Sequence, residues 1–211
     1  MKQIIAATRN KHKIEEIDAI TKDFGMQIIS RDEANIPDVE IPEDGDSFEE
    51  NSYKKAYGIM KLCGETTIAD DSGLVVDCID GAPGIYSARF ATFPGIWPDE
   101  SEAETEDSSD KSNNAKLIEL ISDTEYEKRT ARFVSVITMV FPDGETIVAR
   151  GEVEGHLVLE ERGDCGFGYD PLFVPVGYDK TFGELSSEIK NSISHRANAL
   201  KVLREKLEER R

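Results

Sequence analysis

Residues 131–141 read Ala-Arg-Phe-Val-Ser-Val-Ile-Thr-Met-Val-Phe. After Arg132 the run is almost continuously apolar and rich in β-branched residues, the composition of a central strand covered on both faces. Pro142-Asp143-Gly144 follows as a turn, and Glu145–Val153 returns as a hairpin partner. A strand hidden on both sides needs other layers above and below it, so helices are expected around it.

Those helices are legible on either side. Gln3–Ala7 is a short apolar run that reads as a buried strand. Ile14, Ile17, Ile20 and Phe24 then recur at helical spacing before Gly25, a plausible stop. Gln27–Ser30 reads as a second strand, and Arg31–Asp46 as a polar loop. Ser47-Phe48-Glu49-Glu50 fits a capping box that opens a helix reaching about Leu62. Thr66–Ala69 reads as a short strand that ends at Asp70-Asp71-Ser72-Gly73. Helix resumes over Lys111–Ile121, and Cys165–Pro171 is a glycine-punctuated loop. Ile193, Ala197, Leu200, Leu203 and Leu207 form the apolar stripe of a last helix. The expected class is α/β with a mixed sheet flanked by helices. No linker separates independent domains, so residues 1–211 are expected to form one domain.

The charge balance narrows the function. The chain has 25 Lys+Arg against 43 Asp+Glu, a formal net charge of −18 over 211 residues. Such a chain lacks the broad basic face that polymeric nucleic acid requires, and it would not dock electrostatically on an anionic membrane. A small anionic ligand stays open if basic residues converge locally. Residues 99–110 carry seven acids and no base, which reads as a solvated loop or helix lead-in. Cys63, Cys78 and Cys165 are odd in number and widely spaced, which indicates neither a disulfide framework nor a zinc site. The apolar run in MKQIIAATRNKHK is too short for a signal-peptide core, so a cytoplasmic protein is expected.

Five clusters could carry chemistry. Thr8-Arg9-Asn10-Lys11-His12-Lys13 lies between a strand and a helix start, where backbone amides attract phosphate; an ordinary polar turn would look the same. Glu43 precedes a helix that carries Lys54 and Lys55, and a carboxylate there can meet a hard cation or simply be solvated. Asp70 and Asp71 sit at the end of a strand, where open α/β sheets place ligands. Gly166-Phe167-Gly168-Tyr169-Asp170-Pro171 can free a ring to stack on a base, or make a rigid turn with both rings in the core. Lys190 to Arg196 places His195 and Arg196 at the start of the last helix, the end where basic side chains gain nothing from the helix dipole. Together they supply acids for Mg²⁺, lysines for phosphates, an aromatic ring for a base and donors for its edge.

In order, these segments resemble the inosine/xanthosine triphosphate pyrophosphatase family, nearly end to end. The resemblance is carried by Thr8-x-Asn10-x-x-Lys13-x-x-Glu16, Glu43-x-Gly45-x-Ser47-Phe48-Glu49-Glu50-Asn51, Lys55-Ala56 and Ala69-Asp70-Asp71-Ser72-Gly73-Leu74. Gly81-Ala82-Pro83-Gly84-Ile85-Tyr86-Ser87-Ala88-Arg89, Gly166–Pro171 and Ser194-His195-Arg196 complete it. Asp44 and Ser47 stand where threonines are common in the family, and Ser52 where alanine is.

The resemblance implies an elongated mixed sheet with two lobes, a nucleotide cleft between them, and a homodimer. It implies Mg²⁺-dependent hydrolysis of ITP, dITP and XTP to the monophosphate and pyrophosphate. Thr8–Lys13 and Lys55 would hold the triphosphate, and Glu43 and Asp71 the metal. Asp71 would accept the proton, with Ser72 on the substrate. Phe167, Gly168, Tyr169 and Asp170 would hold the base, with Lys190, His195 and Arg196 completing the pocket. A metal-bound carboxylate is a poor base, so Asp70 is kept as an alternative that orients the water. The competing readings are a pyrophosphatase for pyrimidine or methylated nucleotides and a non-catalytic nucleotide-binding protein. The charge pattern adds one expectation: an acidic exterior around a basic site assembled from Arg9, Lys11, Lys13, Lys55, Lys190 and Arg196.

Overall fold

The computed structural model describes residues 2–8, 11–99 and 106–210, apart from the side chains of His12 and Ile20. In chain order the regular elements are β1 (Lys2–Ala6), α1 (Lys11–Thr21), β2 (Met26–Ile29), α2 (Phe48–Cys63), β3 (Thr67–Val76) and α3 (Asp110–Ile121). They continue with β4 (Thr130–Val140), β5 (Thr146–Leu157), β6 (Phe173–Pro175), α4 (Ser187–Ile193) and α5 (His195–Glu209). The six strands form one sheet in the order β2-β1-β3-β4-β5-β6. β1 pairs in parallel with both β2 and β3, while β5 and β6 run antiparallel, so the sheet is mixed. The parallel pairs require crossovers, and α1 and α2 make them.

The chain divides into two units. The first comprises Met1–Asp71, Ser135–Gly151 and Arg196–Arg211. Its strands alternate cleanly. Ile4, Ala6, Ile68, Ile137 and Met139 pack with Ile17 of α1 and with Ala199, Leu200, Leu203 and Leu207 of α5. Their neighbours Ile5, Ala7, Ala69 and Val140 pack on the opposite face with Ala56, Ile59 and Met60 of α2. The period of two along each strand therefore sorts every residue to one helical layer or the other. Ser52 of α2 takes part in this packing, with its buried hydroxyl 2.7 Å from that of Thr138 in β4.

The second unit comprises Ser72–Val134 and Glu152–His195. Its core is aromatic, with Phe90, Phe93, Phe133, Tyr169, Phe173 and Phe182 packed with Leu74, Leu117 and Ile121. Lys116 fastens one edge of it. Its ammonium donates to the carbonyls of Phe90 and Phe93, at 2.6 Å each, and lies over both rings.

Most expected elements are present within a residue or two. α2 begins at the Ser47 cap, whose hydroxyl accepts from the Glu50 amide, although Glu50 reaches back to the Asp46 amide rather than to the cap itself. Gly25, at φ 66°, ends the first helical stretch. Three readings are corrected. The strand does not end at Asp70-Asp71-Ser72-Gly73; these residues are the middle of β3, which runs unbroken to Val76. The last helical stripe is two helices, and Ile193 closes α4 rather than opening α5. β6 was hidden in the Gly- and Pro-rich surroundings of Phe173–Pro175. Of the acidic stretch, residues 100–105 lie outside the described residues, and Asp110 opens α3. No helix among the described residues is long and apolar enough to cross a membrane.

Candidate active site

The continuity of β3 decides the geometry of the first unit. Consecutive strand residues face opposite sides of a sheet. Asp70 shares the face of Ile68, toward α1 and α5, and Asp71 shares the face of Ala69, toward α2. The two acids therefore answer to different partners.

Asp70 is buried among cations. Its Oδ2 lies 2.8 Å from the Lys13 ammonium, which comes from the first turn of α1, and 3.4 Å from the Arg196 guanidinium, which comes from the start of α5. The Ser135 hydroxyl of β4 donates to its Oδ1 at 2.5 Å. Burial alone would raise its pKa, but Lys13 and Arg196 outweigh it and hold the carboxyl well below the usual carboxylate range. Arg196, itself 2% exposed, also pairs with Glu16 of α1.

Asp71 meets a weaker complement. Its Oδ1 accepts from the Lys55 ammonium at 2.7 Å, and Lys55 also donates to Glu43 at 3.0 Å. One ammonium thus serves two carboxylates. Burial pushes Asp71 up to about 6; Lys55 offsets part of that rise and the charge of Glu43 adds to it. Glu43 is also raised by burial, but Lys55 outweighs this and the net direction is down. Lys55 is driven upward by Asp71 and Glu43 against the opposing effect of burial. The loop that brings Glu43 here is fixed by Asn51, whose Oδ1 accepts from the Gly45 amide at 2.8 Å. A Cβ at Gly45 would lie 2.7 Å from that same oxygen, so only glycine lets the loop approach α2 this closely.

Asp71 Oδ2 is buried and has no hydrogen-bond partner. An orphaned carboxylate oxygen beside a second acid is an arrangement that a proton or a hard cation completes. Among the described residues no group of three or more His, Cys, Asp or Glu stands together as a metal site. Mg²⁺ does not need one, because it usually binds through one or two carboxylates with water and substrate phosphates as the other ligands. Glu43 and Asp71 fit that pattern.

The second unit holds the other cluster. Gly166, at φ 84°, lets the chain turn where a Cβ would come within 2.0 Å of Asp170 Oδ2. That oxygen accepts from the Phe167 amide at 2.9 Å and from the Lys190 ammonium at 2.5 Å. The Lys190 ammonium also stands 4.9 Å from the centroid of the Phe167 ring, a ring that is 38% exposed. Tyr169 faces the other way. It is 4% exposed and donates its hydroxyl to the Ser87 carbonyl at 2.8 Å, and burial drives its pKa upward. His195 stacks on Phe133 with centroids 5.0 Å apart and planes 17° from parallel.

The expected residues are thus distributed as follows. Lys13, Asp70 and Arg196 form one group, and Glu43, Lys55 and Asp71 another. Phe167, Asp170 and Lys190 form a third, with Gly168 between them in sequence. Arg196 lies with Asp70, whereas its chain neighbour His195 lies with Phe133. Thr8 follows β1 and is half-buried, Lys11 opens α1 and is exposed, and Ser72 continues β3. Arg9, Asn10 and the His12 side chain lie outside the described residues. Of the expected basic residues, Lys13, Lys55, Lys190 and Arg196 are each bonded to a carboxylate. Glu16 and Ser135 were not assigned a role from sequence. Ser135 and Thr138 are the polar residues in an otherwise apolar stretch of β4, which is the signal that could have found them.

Comparison with known proteins finds relatives over nearly the whole chain. A model of the Ham1 family matches residues 4–206. The chain is 46% identical to a dITP/XTP pyrophosphatase of Clostridium perfringens, with 98% of each chain covered. It is 44% identical to a dITP/XTP pyrophosphatase of Desulforamulus reducens, over 94% of this chain and 92% of that one. The solved structure of the Staphylococcus aureus Ham1 protein superposes with a TM-score of 0.83 at 40% identity, over the full length of both.

Proposed function

The chain belongs to the Ham1 family, and from that premise we propose that it hydrolyses dITP, XTP and ITP to the nucleoside monophosphate and pyrophosphate. The observation that carries the reading is the buried Oδ2 of Asp71, which has no hydrogen-bond partner although Asp71 and Glu43 share the Lys55 ammonium on the α2 face of β3. In the reaction a water oxygen bonds to the α-phosphorus, the bond from that phosphorus to the α,β-bridging oxygen breaks, and pyrophosphate departs with the bonding electrons. Asp71 takes the water proton. Its orphaned Oδ2 is open to it, and its raised pKa makes the ionised form a stronger base than an ordinary aspartate. Asp70 is unsuited to that task, because Lys13, Arg196 and Ser135 engage its oxygens and keep its proton affinity low.

Glu43 and Asp71 would hold Mg²⁺, which when bound offsets charge on the phosphate oxygens and orients them. A cation at Oδ2 would also lower the Asp71 pKa, so the two roles of this residue trade against each other. Lys55, which is 13% exposed at its side chain, stabilises the charge that develops on the leaving pyrophosphate. Thr8 to Lys13 take the phosphates at the start of α1. Phe167 stacks on the purine, while Lys190, paired to Asp170, and His195 meet the edge. A donor set aimed at a 6-carbonyl is left unsatisfied by the 6-amine of adenine, which supplies discrimination against ATP.

The test is pyrophosphate release from dITP, XTP, ITP, ATP, dUTP and dTTP, with Mg²⁺ and then with EDTA. Turnover of the three 6-oxo purines that EDTA abolishes is expected. Preferred turnover of dUTP or dTTP, or binding of ITP without turnover, would overturn the assignment.

A further inference from the structure

Two glycines at positive φ, Gly166 at 84° and Gly168 at 62°, flank Phe167. A backbone of this kind has little conformational preference of its own. Stacking on a base requires one fixed ring direction. Within the loop Asp170 holds the Phe167 amide, and the start of α3 holds the next residue. The Gly168 amide donates to Asp110 Oδ2 at 2.7 Å, and the Gly168 carbonyl accepts from Asn114 Nδ2 at 3.2 Å. Both polar groups of one peptide residue are thus gripped by side chains one helical turn apart on the same helix.

Asn114 is specialised for this grip. It is 2% exposed, and its Nδ2 also donates to Glu161 at 2.7 Å. Its Oδ1 is buried without a partner. Flipping the amide would turn that oxygen onto two acceptors, so the observed orientation is the one the hydrogen bonds require. The adjacent Asn113 grips a different segment. Its Oδ1 accepts from the Ala91 amide at 2.8 Å and its Nδ2 donates to the Ala88 carbonyl at 3.1 Å. The 84–92 segment it fastens supplies Ser87, whose carbonyl accepts the Tyr169 hydroxyl. The first turn of α3 therefore reaches the base loop directly at Gly168 and through Ser87 at Tyr169.

We propose that Asp110 and Asn114 are positioning residues for base recognition. By fixing the Gly168 peptide they set the direction in which Phe167 presents its ring. The proposal rests on the reading of Phe167–Asp170 as the base site, and its test separates the two. Steady-state kinetics on dITP are measured for the parent enzyme and for Phe167→Ala, Asp110→Ala, Asp110→Asn and Asn114→Ala, with inorganic tripolyphosphate as an inhibitor that has no base. Asp110→Ala and Asn114→Ala are expected to raise KM for dITP about tenfold with kcat held within about twofold. Asp110→Asn keeps an acceptor oxygen and recovers most of the loss. Inhibition by tripolyphosphate is unchanged throughout.

An unchanged KM in Phe167→Ala would overturn the base-site reading itself. A raised KM in Phe167→Ala with an unchanged KM in both α3 variants would overturn the clamp alone. Loss of kcat at constant KM, or parallel weakening of tripolyphosphate, would mark a purely structural or charge effect and also overturn it. Asp110 is exposed and its replacement leaves the core intact, so Asp110→Ala decides the matter if Asn114→Ala does not fold.

Discussion

The two faces of β3 carry the same residue type at adjacent positions and treat it in opposite ways. On the α1/α5 face, Asp70 receives Lys13, Arg196 and Ser135, and its carboxyl is driven far down. On the α2 face, Asp71 shares one ammonium with Glu43, keeps an oxygen without a donor, and is driven up to about 6. The difference teaches that burial is not what marks a reactive acid, since both are buried. What marks it is the balance of partners on its own face. Asp70 is a satisfied charge that fastens β3 to α1 and α5, and Asp71 keeps one buried oxygen without a hydrogen-bond partner. Natural folds concentrate such local violations at functional sites.

The contrast is easiest to break through activity. Asp71→Asn is expected to lower kcat on dITP by about 10²–10⁴-fold, the range for loss of a positioned acid–base group. Near-normal turnover in this variant would remove Asp71 from the chemistry. Stability gives the next largest effect, on the other face. Asp70→Asn removes the buried carboxylate that Lys13 and Arg196 share, although Arg196 keeps Glu16, and is expected to cost about 3–5 kcal/mol in denaturant unfolding. A loss below about 1 kcal/mol would show that Asp70 is not the anchor it is taken to be.

The smallest effect sharpens the comparison by its sign. Asp71 has a folded pKa of about 6 against an ordinary 3.8, so its contribution to stability is present below about pH 4 and is lost as pH rises through 6. In EDTA, Asp71→Asn should therefore gain on the parent protein as pH rises from about 4 to about 6. Asp70 is lowered, so its contribution is present above pH 4 and is lost only as pH falls through its depressed folded pKa. The deficit of Asp70→Asn should accordingly shrink only in strong acid. Parallel pH profiles for the two variants, read from urea titrations, would contradict the assignment of the two faces.

Much of this was legible in the residues. The apolar runs at Gln3–Ala7 and Ala131–Phe141 locate the sheet, and Ser47 and Gly25 locate helix ends, because each rests on local chemistry. The paired acids stand out in the sequence, but the strand Thr66–Ala69 reads as stopping at Asp70-Asp71-Ser72-Gly73, because Asp, Ser and Gly disfavour strands when nothing else acts on them. Here ladder pairing and two flanking helical layers override that preference. The division of labour between Asp70 and Asp71 could not be read without knowing the strand, since it follows from which face each one occupies. Arg196 was grouped with His195 by adjacency in sequence. In the structure it joins Glu16 and Asp70, contacts across 180 and 126 residues of chain that spacing cannot reveal.

The closeness of Gly166 to Asp170 bears on any attempt to retool this enzyme. A saturation library at position 166 should return glycine alone, since every other side chain begins with a Cβ that would fall 2.0 Å from the Asp170 carboxylate. Position 168 has open space around it and is limited only by its left-handed backbone, which asparagine and aspartate tolerate. If this loop holds the base as proposed, directed evolution of base preference meets an uneven landscape across three consecutive residues: closed at 166, broad at the ring of Phe167, and narrow but passable at 168.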